Sequence, residues 1–284
     1  MTSPAQRERF FPTMRQLDLF ASAGVRREES PPWPSPHAEQ TPAADLSDAG
    51  LIAAIPNAGQ TACQALTGEA ARRKLVAAVP ALEALCRRFK GFGLEHAVPE
   101  QTASLQALSA IGGPDAIAAV RRILAGDVVS APGQHEAVRA AAVLRCILPE
   151  PTATALLRHA DPTIRAQACR CVPRTAQVAA LLISLLEDLN PGVATEAAKA
   201  LGHMGRTEAR PWLARLLRQS PDAELVEAVT AVADEDCVVL LGRIARQQPA
   251  LHHAVLAALE ASETPRAAAI LAALGNQGES RPEG

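Results

Sequence analysis

Cys169 and Cys171, with Cys146 and His159 not far away in the chain, are residue types that bind a soft metal ion such as zinc. Their spacing speaks against that chemistry. Two residues two apart on a helix point to different faces, and no second close pair exists among the six cysteines, at 63, 86, 146, 169, 171 and 237. The thiols are read instead as reduced core residues, small enough for closely packed helices. His252 and His253 are adjacent rather than one helical turn apart, so they share no face either. The sequence has no recognisable set of nucleophile and base, no glycine-rich phosphate loop and no catalytic carboxylate pair. The expectation is a chain with no catalytic residue, metal or cofactor.

Binding chemistry is better represented. In ALCRRFKGFGLEHAVPEQ (84–101), Arg87, Arg88 and Lys90 interleave with Phe89 and Phe92. Cations can meet phosphates there while a ring stacks on a base, which is how sequence-tolerant single-strand binding works. With Arg72, Arg73 and Lys74, the window 72–90 holds six bases against one acid, Glu83, so these eight residues are candidate nucleic-acid contacts. The competing reading is a helix end, with arginines favoured by the dipole and Gly91 supplying the left-handed exit. The strip DAELVEAVTAVADED (222–236) has six acids and no base. Alternating with apolar positions, it reads as the wet face of a helix pair or as a seat for a cation or basic partner.

A third constellation lies near the start, where Gln16, Leu17, Asp18, Leu19 and Phe20 form an apolar knot. Residues 1–44 contain seven of the 22 prolines, PPWPSP included, and five arginines against five acids, so they cannot bury enough surface to offset their ordering entropy. They nonetheless hold Phe10, Phe11, Phe20 and Trp33, four of seven aromatics. A flexible tail carrying a ligand for another protein explains this. Burying one such side chain stabilises by about 1.5–3 kcal/mol, and two or three in a partner's pocket reach about 8 kcal/mol, a micromolar affinity. The alternative is a short helix over 5–24 that caps the folded body, although Pro12 interrupts it. Trp33 has no assigned role.

The five residues 16–20 resemble the peptide by which many bacterial polymerases and repair proteins bind the ring-shaped sliding clamp, whose consensus is Gln-Leu-Ser/Asp-Leu-Phe. The resemblance implies that Leu19 and Phe20 fill the clamp's pocket and Leu17 packs at its rim. Gln16 would then hydrogen-bond in a neighbouring subsite, with Asp18 at the variable centre.

The body that must carry these groups is legible in its composition. Hydrophobic residues make up 48% of the chain, aromatics 2%, and tyrosine is absent, which suits alanine-rich helices packed closely. A formal charge of −2 gives no general pull toward nucleic acid or an acidic membrane. The amino terminus has no apolar run of signal-peptide length and no stretch approaches membrane-span length, so a soluble cytoplasmic protein is expected, with no membrane partner.

Prolines at 132, 162, 191, 221 and 249 are 30, 29, 30 and 28 residues apart, with Pro99 another 33 before the first. Asp161, Asn190 and Ser220 each precede one of them, which predicts a capping side chain followed by proline at the first helical position. Apolar spacing such as Val193, Ala197, Leu201 and Met204 is helical, and RTEARPWLARLLRQ supplies a second helix. A two-helix unit of this size cannot enclose its own apolar face, so units stack: the predicted fold is all-α, an α-solenoid. The predicted boundaries are a tail over 1–44, a solenoid over 45–276 and a disordered end over 277–284.

LLRHADPTIRAQACRC (156–171) and LLEDLNPGVATEAAKALGHMGRTEARPWLARLL (185–217) resemble short HEAT-like repeats, the variety also found in the phycobilisome-lyase group. The likeness is good over 149–274 and thinner over 45–130. It departs from the family in its shorter period and in Ile164-Arg165 standing for the usual valine-arginine. The resemblances together imply a non-catalytic adaptor in replication or repair, tethered to the clamp by its tail and receiving a second protein or DNA on the solenoid. The alternatives are a lyase-like or DNA-glycosylase-like repeat enzyme, or a plain interaction scaffold whose tail caps the solenoid. The glycosylases rely on an aromatic and acidic cluster in a basic groove, whereas Trp212 is the only tryptophan of the repeats.

Overall fold

The computed structural model describes residues 42–90, 96–129 and 131–279, with side chains to residue 275. Residues 16–20, Trp33 and Phe92 lie outside the described residues. The helical unit begins at Pro42. Its described elements are α-helices and short 3-10 turns, with no strand among them.

Local chemistry sets the helix starts. Asp161 Oδ1 accepts the Thr163 amide at 2.7 Å and Asn190 Oδ1 accepts that of Gly192 at 2.9 Å, each just before proline. These caps open α8 (Pro162–Cys169) and α10 (Pro191–His203) as their sequences predict. The third expectation is corrected. Ser220 ends one helix, Arg210–Gln219, and Asp222 caps the next, Ala223–Thr230, its carboxylate accepting the Leu225 amide at 2.7 Å. Asp222 is the residue placed to accept the Leu225 amide, so Pro221 falls in the turn rather than inside the helix. Asp222→Ala should therefore cost about 1 kcal/mol in urea unfolding, and Ser220→Ala less than about 0.5 kcal/mol.

The helices form antiparallel hairpins. After α1 (Asp48–Ala54) and α2 (Gln60–Arg72) come the pairs α3 (Val79–Arg88) with α4 (Pro99–Ile111), and α5 (Gly113–Ala125) with α6 (Ala131–Val143). Next, α7 (Glu150–Leu157) pairs with α8, and α9 (Ala176–Leu185) with α10. Then α11 (Arg210–Gln219) pairs with α12 (Ala223–Thr230), α13 (Glu235–Gln247) with α14 (His252–Ala261), and α15 (Pro265–Glu279) closes the row. The second helices, α2 through α14, pack on one another without a break. The first helices meet more loosely, weakest between α1 and α3, between α5 and α7 and between α9 and α11. The even-numbered helices thus make up the closely packed inner layer and the odd-numbered helices the looser outer one.

The core is aliphatic. Val193, Ala197 and Leu201 are fully buried on α10, and Met204 is partly buried against them. Between units the stack is pinned by Arg165 on α8, which donates to both carboxylate oxygens of Asp188 at 2.9 Å and to the carbonyls of His159 and Ala160 at 2.8 Å. The guanidinium holds the Asp188 carboxyl below its ordinary value.

All six cysteines are free and buried. Cys169 is the last residue of α8, and Cys171 lies in the turn beyond it rather than in the same helix. Burial pushes the Cys86 thiol up to about 12 and Cys169 well above its ordinary value. Among the described residues no three His, Cys, Asp or Glu side chains gather into a metal-holding group, and no helix is long and apolar enough to cross a membrane.

Candidate functional site

The basic residues at the ends of α2 and α3 are given internal partners at most positions. Arg72 donates to Glu69 at 2.6 and 2.8 Å, and Arg73 reaches the same carboxylate at 2.6 Å. Together they hold the Glu69 carboxyl at about 2. Arg73 also donates to Asp48 and to the carbonyls of Leu46 and Ala44, fastening the first turn of the unit to α2. Lys74 donates to the Ala110 carbonyl. Arg122 and Arg87 share Glu83, whose carboxyl they hold below its ordinary value. Arg88 donates to the carbonyls of Pro56 and Ala58 at 2.7 and 2.5 Å, with its guanidinium carbon 4.6 Å from the Phe89 ring centroid. Lys90 is exposed just past α3. Glu69 lies one turn outside the window that looked so basic, and the carbonyl acceptors carry no charge to notice.

The acidic strip over 222–236 has partners of its own. On the inner layer Lys199 of α10 donates to Glu224 at 3.0 Å and stands 3.5 and 3.6 Å from Glu196 and Asp222. Arg170, capping α8, meets Glu224 at 3.0 Å and Glu196 at 3.6 Å. Burial opposes the charge of Lys199, whose side chain is only 11% exposed, but the Glu224 hydrogen bond and the surrounding carboxylates outweigh it and raise its pKa. Further along, Asp234 caps α13 through the Cys237 amide and pairs with Arg210. Asp222, Glu224 and Asp234 are thus consumed in joining helices.

Beside this network a cleft of about 200 Å³ opens on the inner layer, with Arg145, Ile147, Arg174, His203 and Met204 among its lining residues. Ile147 is 49% exposed although aliphatic. Among the described residues neither Arg145 nor Arg174 forms an ion pair. A second cleft, of about 460 Å³, lies where the α9–α10 turn meets α11, with Leu186, Leu189, Pro191, Trp212, Arg215 and Leu216 in its wall. Leu189 is fully exposed there. Both clefts combine aliphatic surface with arginine, the composition of a protein-binding patch.

Sequence reasoning missed both clefts. Ile147 and Leu148 are adjacent aliphatics in one turn, yet Leu148 is buried and Ile147 is not. Nothing in their types separates them.

No curated protein matches the chain. Residues 149–234, the stretch that holds Arg165, the Lys199 network and Trp212, match a family model describing HEAT repeats, so this part of the stack is similar to such repeats.

Proposed function

We propose that this protein is a non-catalytic adaptor in which residues 16–20 bind the DNA sliding clamp and the HEAT-like array receives a second protein. The scaffold part rests on the repeat match together with two clefts that offer aliphatic surface and arginine. The clamp part rests on one observation, the agreement of all five residues from Gln16 to Phe20 with the clamp-binding consensus. The stretch between that peptide and the first helix acts as a leash, holding the array near the ring at an effective concentration up to about the millimolar range. With this partner the protein works in the cytoplasm. Nucleic acid as the client of the array has weaker support, since Arg73 and Arg88 spend donors on carbonyls of the fold itself.

Calorimetry with a purified bacterial clamp tests the reading. The intact protein should bind with a Kd of about 1 μM, and the double change Leu19→Ala, Phe20→Ala should weaken binding at least about 100-fold. A double variant that binds as the parent does removes the clamp from the proposal and leaves the scaffold.

A further inference from the structure

We infer that the inner-layer cleft beside α8 and α10 takes an acidic, aliphatic peptide segment of the partner protein. This deepens the scaffold reading and rests on it, but it is independent of the clamp peptide. The cleft's own cations are already divided. Arg170 and Lys199 are held by Glu196, Asp222 and Glu224, so they offer little charge to a ligand. Arg145, just past α6, and Arg174, just before α9, are exposed and have no ion pair among the described residues. They leave positive charge on one side of the lining. Glu227, the lining carboxylate without an ion pair among the described residues, sits on α12 at the other end.

Between the two arginines in sequence lie the aliphatic members of the lining, half-exposed Ile147 and nearly buried Val172, and Met204 adds a pliable wall from the end of α10. Val143, at the end of α6, is also exposed. A leucine or isoleucine set on Ile147 would remove apolar area from water, while carboxylates on either side of it would meet Arg145 and Arg174. A polyphosphate fits worse, because it gains nothing from the apolar surface of Ile147 and Met204. The geometry thus selects carboxylates spaced by aliphatic side chains over a nucleic-acid backbone.

Fluorescence anisotropy on the full-length protein tests this with a labelled peptide of alternating glutamate and leucine and a counterpart in which lysine replaces every glutamate. The glutamate peptide should bind at least about tenfold more tightly than the lysine one. Arg145→Glu with Arg174→Glu, and separately Ile147→Asp, should each weaken it about tenfold or more while the thermal melt stays at the parent value. Leu19→Ala with Phe20→Ala should leave peptide binding unchanged, which separates failure of this inference from failure of the clamp reading. The inference is overturned if neither peptide binds at about 1 mM, if both bind equally, or if the arginine changes have no effect. Displacement of the glutamate peptide by a short thymidine oligonucleotide at lower concentration would likewise overturn it, assigning the cleft to phosphate.

Discussion

Gly202→Ala is expected to lose about 3 kcal/mol of stability and to melt about 6–12 °C below the parent protein. Gly202 lies near the end of α10, where that helix crosses α12. A Cβ built there would sit 2.4 Å from the Ala228 carbonyl oxygen and 2.9 Å from Leu213 Cδ1. The first obstacle is backbone, so relief requires moving a whole helix rather than rotating a side chain. In a repeat stack each unit is stabilised by its neighbours, and prying α10 from α12 breaks the row in its middle.

Two other glycines give the comparison. Gly242 would place a Cβ 2.8 Å from Ile270 Cγ2, which belongs to a side chain rather than to backbone, so its alanine variant should lose less. Gly68 is exposed within α2 with nothing inside 4 Å, and Gly68→Ala should gain about 0.5–1 kcal/mol. Thermal melts that rank the three variants otherwise would refute the described approach of α10 to α12.

Arg165→Ala is expected to cost about 3 kcal/mol, because it strands the nearly buried Asp188 carboxylate with the Asn190 amide at 2.9 Å as its remaining hydrogen-bond donor among the described residues. The pH dependence follows from the sign of the shift. Asp188 has its folded pKa lowered, chiefly by the Arg165 hydrogen bond, so its stabilisation is complete above the ordinary aspartate value of about 4 and is lost as pH falls through the lowered one. Glu69, held at about 2, and Glu83 act in the same direction. The parent should therefore lose stability steadily between about pH 5 and pH 2, and Arg165→Ala should lose less over that interval. The difference between the two urea-unfolding profiles isolates the Asp188 contribution. Parallel profiles would show that the arginine does not hold the carboxylate in solution.

Features that depend on near neighbours along the chain are legible in the residues alone. Helix starts at Pro162 and Pro191 are legible because cap, proline and first amides lie within three residues of one another. The stacking of units is legible because a short amphipathic hairpin has no other way to bury its apolar stripe. Ser220 marks the edge of that reach: choosing between it and Asp222 turns on a hydrogen-bond geometry that residue type does not fix.

How charges and apolar surface are shared between units emerges only once the helices are packed. The basic run from Arg72 to Lys90 looks available in sequence, yet its partners include Asp48, Arg122's shared Glu83 and carbonyls more than 25 residues away. Asp222 and Glu224 look like free surface acids until α10 brings Lys199 against them. Ile147 differs from Leu148 only in which way a turn faces. Ion pairing and burial depend on distances through space, and in a stack of hairpins the nearest side chain in space is often one whole repeat away along the chain.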